Sequence, residues 1–94
     1  MKLIWSHRAK RDLQGLVVTI AEESLQRADL VSGRILRSAQ LLYRTPRAGR
    51  PGRVAGTRER VVGRTPYILA YKILSARVKI LRVYHGARRW PAEF

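Results

Sequence analysis

The side chains able to act on a phosphate group gather in the last third of the chain: Arg58, Arg60 and Arg64, then Arg82, Tyr84 and His85, then Arg88, Arg89 and Trp90. Such a set can cleave RNA without a metal. The ribose 2′-hydroxyl attacks the adjacent phosphate, guanidinium groups stabilise the developing charge, and a His or Tyr moves the protons. The same set can grip an anionic surface and do no chemistry. Composition leaves both readings open.

Other chemistries lack their residues. The chain has no cysteine, which excludes a thiol nucleophile and a disulfide framework and is compatible with a cytoplasmic location. There is no phosphate-cradling glycine loop with its lysine. His7 and His85 lie far apart in sequence without paired carboxylates, whereas a zinc site needs three or four ligands. No metal and no cofactor are therefore expected. Four of the six acidic residues fall in predicted helices, which argues against a hydrolase built on a carboxylate pair.

Charge narrows the partners. Twenty Lys and Arg face six Asp and Glu, a formal net of +14, and sixteen of the twenty are arginine. Arginine presents a planar fork that matches phosphate and carboxylate and stays charged at any working pH. The balance points to a polyanionic partner, either nucleic acid or an acidic protein. With 94 residues, 46% of them apolar, one packed domain over 1–94 is expected. No run of about 18 apolar residues is present to span a membrane. The opening MKLIWSHRAKRD has no long apolar stretch for a secretory signal.

These side chains need elements to position them. Lys2–Trp5 reads as a strand and Ser6 as a helix cap, with Ala9, Leu13, Leu16, Val17, Ile20 and Ala21 at helical spacing behind it. Basic residues in that first turn oppose the helix dipole, so this helix rests on burial of its stripe. Ser24 reads as a second cap, before a helix from Leu25 to Tyr43 with the stripe Ala28, Val31, Ile35, Ala39 and Leu42. Arg27, Arg34, Arg37 and Arg44 lie mostly off it. So short a connection predicts an antiparallel helix hairpin. Residues 45–57, with two prolines and three glycines, read as a basic loop. Strands are expected over Arg58–Val62, Tyr67–Ile73 and Arg77–Tyr84, the last two joined by a hairpin at Leu74-Ser75-Ala76. The resulting order, β-α-α-β-β-β, predicts an α+β fold with the helix pair laid across one face of a twisted antiparallel sheet.

The segment "VVGRTPYILAYKI…VKILRVYHGARRWP", the opening "MKLIWSHRAKRDL" and the loop "GRPGRVAGTRERVV" together resemble the RelE/ParE superfamily, the toxin half of type II toxin–antitoxin pairs. The resemblance covers nearly the whole chain. It implies a cognate antitoxin partner, acidic and partly disordered when free, that would fold onto the basic surface. It also implies one of two targets. ParE-like members poison DNA gyrase by binding. RelE-like members enter the ribosome and cut mRNA, several of them with a basic residue in the middle strand and a His or Tyr near the end of the last strand. His85 and Tyr84 match the second position, but Ile68 stands where the middle-strand arginine is expected. The reading taken forward is therefore ParE-like. A RelE-like endonuclease using Arg64, Arg82, Tyr84 and His85 is the alternative, and a non-toxic basic module for nucleic acid is the third.

Each residue also has a structural reading. Arg58, Arg60 and Arg64 form a target- or antitoxin-binding patch, or protect an edge strand with charge. Arg82, inside an apolar strand, needs a carboxylate such as Glu59 or an open cleft, because a lone buried charge is costly. His85 moves protons or bonds backbone at a strand end. Arg88, Arg89 and Trp90 stack on nucleic acid, or the indole folds back onto the core. Trp5 and Tyr43 are expected in the core.

Overall fold

Ser24 by itself separates helix α1 (His7–Glu23) from helix α2 (Leu25–Arg44). Its N–H donates to the Ile20 carbonyl at 2.8 Å and ends α1. Its hydroxyl accepts from the Arg27 N–H at 3.1 Å and caps α2. One extended residue doing both forces the chain to reverse, and the helices pack as the expected hairpin. Ser6 caps α1 by accepting from the Ala9 N–H at 3.0 Å. The first turn of α1 holds no acidic residue and so forgoes a dipole stabilisation of about 0.3–1 kcal/mol. The cap contributes about 1 kcal/mol. Burial of Ala9, with Leu13, Leu16 and Ile20 packed on the core, adds more than either.

The computed structural model describes residues 2–87, 89–91 and 94. Strands β1 (Lys2–Trp5), β2 (Arg50–Pro51), β3 (Arg58–Val61), β4 (Tyr67–Leu74) and β5 (Arg77–His85) make one sheet in the order β1-β5-β4-β3-β2. β1 pairs with β5 in parallel, and the other neighbours are antiparallel. The sheet is thus mixed, where the sequence reading expected it antiparallel throughout. Two successive hairpins return β5 in the direction of β1, and the helix pair supplies the long crossover that parallel neighbours need.

The core lies between the helices and one sheet face. α2 contributes Val31, Ile35, Ala39 and Leu42, and the sheet contributes Leu69, Tyr71, Val78, Ile80 and Val83. Trp5 packs half-buried against it, but Tyr43 is 42% exposed and not in the core as expected. One residue beyond Leu42 is a rotation of about 100° on a helix, enough to leave the stripe. In β5 the register passes from Ala70↔Arg82 to Tyr71↔Ile80, which makes Leu81 an extra, bulged residue. Strict alternation would set Arg82 on the face of Ile80. The bulge puts Val83 on the helix side and turns Arg82 and Tyr84 to the opposite face.

Residues 45–57 are more ordered than a basic loop. They hold a 3-10 turn at Pro46–Ala48 and the two-residue β2. The fully buried Tyr71 ties this segment down: its hydroxyl donates to the Pro46 carbonyl at 2.6 Å and accepts from the Gly49 N–H at 2.9 Å. A Cβ on Gly49 would collide with that hydroxyl. These bonds span more than twenty residues and leave no local pattern in the sequence. Tyr71→Phe strips both partners of Pro46 and Gly49 and is expected to lower stability by about 1–3 kcal/mol in urea denaturation. The far-UV circular dichroism of the native state should remain that of the parent.

Candidate functional site

Beyond Ile80 the outer edge of β5 has no strand beside it among the described residues, because β1 ends there. The start of α1 covers that edge. Ser6 continues the pairing, its N–H donating to the Ile80 carbonyl at 2.9 Å and its hydroxyl to the Leu81 carbonyl at 2.9 Å. Asp12 then accepts from the Val83 N–H at 2.9 Å. The same carboxylate takes Arg82 in a two-pronged grip, Nε at 2.8 Å and Nη2 at 3.1 Å. The partner of Arg82 is thus Asp12 and not Glu59. Its guanidinium also stacks over the Tyr84 ring at 4.5 Å. The hydrogen bond that Arg82 donates to Asp12 holds the guanidinium pKa above its ordinary value, against the opposing effect of burial. A raised pKa gives a contribution fully present below the ordinary value and lost only as pH rises through the raised one. Arg82 therefore stays charged and paired throughout the neutral range.

Glu59 is the second anchoring carboxylate, with 1% of its side chain exposed. It accepts from Arg50 Nη2 at 3.1 Å and from the Arg53 backbone N–H at 2.7 Å, and Arg53 Nε lies 3.4 Å away. Arg53 in turn stacks over Trp90 at 4.2 Å, and Trp90 packs edge-on against Tyr84 with ring centroids 4.7 Å apart. The indole folds back on the helix-free face of the sheet, where Phe94 also meets Tyr84. Two arginines of the expected basic loop are thereby fixed in place.

The four candidates for RNA cleavage do not converge. Tyr84 is 5% exposed under Trp90, and Arg82 is bound to Asp12. His85 points the other way, exposed, edge-on to Tyr67 at 5.7 Å, its Nδ1 accepting from the Ala87 N–H at 3.2 Å. It lines a cleft of about 410 Å³ with Arg11, Asp12, Thr19 and Tyr67. Arg64 sits in the β3–β4 turn with φ 61°, and its carbonyl accepts from Arg34 Nη1 at 3.4 Å. Of the candidate binding residues, Arg58 donates to the Gly49 carbonyl at 2.8 Å, Arg60 and Arg89 are exposed, and Arg88 lies outside the described residues. Among the described residues, no three of the His and acidic side chains come together as metal ligands. No helix among them is long and apolar enough to cross a membrane.

Arg60 and Arg64 do meet other arginines. With Arg34 and Arg37 of α2 they line a groove of about 360 Å³ between that helix and the end of β3, and among the described residues no carboxylate lines it. Arg34 and Arg37 are not among the candidates expected from the sequence. The available signal was their place off the apolar stripe of α2, one turn apart and so side by side.

The family model for the ParE toxin of the type II toxin–antitoxin system parDE matches residues 3–90. The chain belongs to the ParE toxin family. A relative from Sinorhizobium fredii (strain NBRC 101917 / NGR234), named "Putative toxin Y4kP", is 38% identical over 90 residues, covering 96% of this chain and 93% of the relative. The solved structure described as "Chromosomal ParDE TA system from P. aeruginosa" superposes with a TM-score of 0.81 at 24% identity, over 90% of this chain and 95% of the other. That likeness is one of fold. In this ParE-family chain two helices lie on a five-stranded mixed sheet, as in that neighbour.

In this ParE-family fold, Asp12→Ala leaves Arg82 without its carboxylate and Val83 without its acceptor. Both side chains of the pair are nearly one-fifth exposed, so water recovers part of the loss. Chemical denaturation is expected to show a stability loss of about 1–3 kcal/mol. A loss below about 0.5 kcal/mol would contradict the role given to this carboxylate.

Proposed function

We propose that this ParE-family toxin inhibits DNA gyrase by binding it, acts in the cytoplasm, and is held silent by a cognate acidic antitoxin. The observation that carries this reading is the middle strand. Ile68, where the mRNA-cleaving relatives are expected to place a cation, is 5% exposed and paired across the strands with Tyr84. An apolar side chain there offers neither a general base nor a clamp for phosphate. Arg82 is committed to Asp12, and Tyr84 lies under Trp90. Family membership supports the same reading. Exposed guanidinium groups, Arg60, Arg64 and Arg89 among them, supply the binding surface for target or antitoxin, and no cofactor is needed.

One observation favours the alternative, a ribosome-dependent mRNA endonuclease. His85 is exposed beside Tyr67 and Arg11 in a cleft of about 410 Å³. The two readings separate in the cell. Expression of the chain alone is expected to arrest growth and to accumulate gyrase–DNA cleavage complexes while ribosome-bound mRNA stays intact. His85→Ala should still trap gyrase. Codon-phased mRNA cuts that disappear in His85→Ala would establish the endonuclease instead. A chain that leaves growth unaffected would contradict both and favour a basic module for nucleic acid.

A further inference from the structure

The cleft between α1 and the ends of β4 and β5 measures about 410 Å³, within the range of about 300–1,000 Å³ in which small ligands are held. One residue able to donate a hydrogen bond reaches it from each of three elements: Arg11 of α1, Tyr67 of β4 and His85 of β5. Among the described residues, the Arg11 guanidinium, the Tyr67 hydroxyl and Nε2 of His85 have no hydrogen-bond partner. Nδ1 of His85 accepts from the Ala87 N–H at 3.2 Å, which places the proton of the neutral ring on Nε2. The carboxylate at the cleft, Asp12, is already bonded to Arg82 and the Val83 N–H. A second hollow of about 410 Å³ shares Arg11 and Asp12 and is lined besides by Arg8 and Arg82. Three guanidinium groups thus stand around one carboxylate that is committed to one of them. Gly15 forms part of the cleft's helix wall. Packing does not call for it: a Cβ there would meet nothing within 4 Å, and glycine in a helix interior costs about 1 kcal/mol relative to alanine. What the glycine supplies is access to bare backbone, with the Thr19 hydroxyl turned back onto the Gly15 carbonyl at 3.0 Å.

A guanidinium, an imidazole N–H and a phenol O–H that lack partners suit an anion. A carboxylate offers two coplanar oxygens, which one guanidinium fork can match alone. A phosphate directs its oxygens tetrahedrally and takes donors from three sides at once. Leu16 and Val83 give the same cleft an apolar part. We infer that this cleft binds a nucleoside phosphate, the phosphate on Arg11, Tyr67 and His85 and the nucleoside against Leu16 and Val83. A free nucleotide and a nucleic-acid strand present the same chemistry to it. The site holds its ligand and does not cut it. Cleavage by a ribose 2′-hydroxyl needs a base, and here Nδ1 of His85 already accepts from backbone while Asp12 is taken by Arg82. The site goes beyond the gyrase reading and does not rest on it.

The test is titration of the full chain at near-physiological salt with inorganic phosphate, with adenosine monophosphate and with a short single-stranded RNA, followed by NMR of the Arg Nε and His Nε2 signals. Shifts should concentrate on Arg11 and His85. Adenosine monophosphate should bind about tenfold more tightly than phosphate, the gain from burying part of the nucleoside. Arg11→Gln should weaken adenosine monophosphate binding about tenfold or more, as loss of a charge-assisted hydrogen bond does. Gly15→Leu, which fills the cleft, should weaken it as much, and Gly15→Ala should leave it nearly unchanged. Arg27→Gln removes the same charge at the turn end of the hairpin and should also leave it nearly unchanged. Arg11, Gly15 and Arg27 are all exposed, so none of these substitutions touches the core. RNA binding tighter than the mononucleotide assigns the site to a strand, and the reverse order assigns it to a free nucleotide. Absence of shifts at Arg11 and His85 with all three probes overturns the site. Equal losses in Arg11→Gln and Arg27→Gln mean general charge attraction and overturn it as well. A mononucleotide bound no more tightly than phosphate overturns the nucleoside assignment, and RNA shortened during the titration overturns a holding site in favour of cleavage. Neither gyrase nor antitoxin enters the titration, so its failure is separate from that of the growth-arrest experiment.

Discussion

Carboxylates are scarce in this chain, and their placement governs what its arginines do. A formal charge of +14 cannot be neutralised internally, so each carboxylate that pairs selects which guanidinium groups become structural. Asp12 joins α1 to the bulged end of β5 through Arg82 and the Val83 N–H. Glu59 joins β2 and the segment after it to β3 through Arg50 and Arg53, and Arg53 then lies on Trp90. Asp12 sits at an open strand edge and Glu59 under the segment that precedes β3. A single partner removed at either place leaves a poorly solvated charge behind.

The consequence on the surface is a division of labour. Guanidinium groups near Asp12 and Glu59 are oriented and held. Arg34 and Arg37 of α2 and Arg60 and Arg64 at and beyond the end of β3 line one groove, which among the described residues has no carboxylate. The last strand follows the same logic. Its bulge sends Arg82 and Tyr84 to one face and leaves His85 exposed at the other, so residues adjacent in sequence serve different sides of the sheet. Binding by a charged, partly apolar surface fits this arrangement better than catalysis by a converging set.

Much of the framework was legible. Ser6 and Ser24 announce both helices, because a hydroxyl before an apolar stripe is a local signal with a local cause. Alternating apolar residues located β3, β4 and β5 to within a residue or so. Three features were not legible, and each depends on distant contacts. The parallel pairing of β1 with β5 is a property of chain routing. The ordering of residues 45–57 rests on the Tyr71 hydroxyl and on Glu59. The partner of Arg82 lies seventy residues away on α1, and Glu59 was the nearer guess in sequence. For the site, the resemblance identified the family, and Arg60 and Arg64 were named from their clustering. Arg34 and Arg37 carry no such signal, because a basic helix face reads as solvated until a strand is seen across from it.

The central claim is that the arginines form two populations, one held by Asp12 and Glu59 and one at the groove between α2 and β3, which no carboxylate lines among the described residues. Side-chain NMR of the Arg Nε–Hε groups at neutral pH measures this directly in the free chain. The account expects slowly exchanging, shifted signals for Arg82. It expects rapidly exchanging, unshifted signals for Arg37 and Arg60. Uniform behaviour of all the guanidinium groups in the free chain, or protection of Arg37 and Arg60 without any partner, would contradict it.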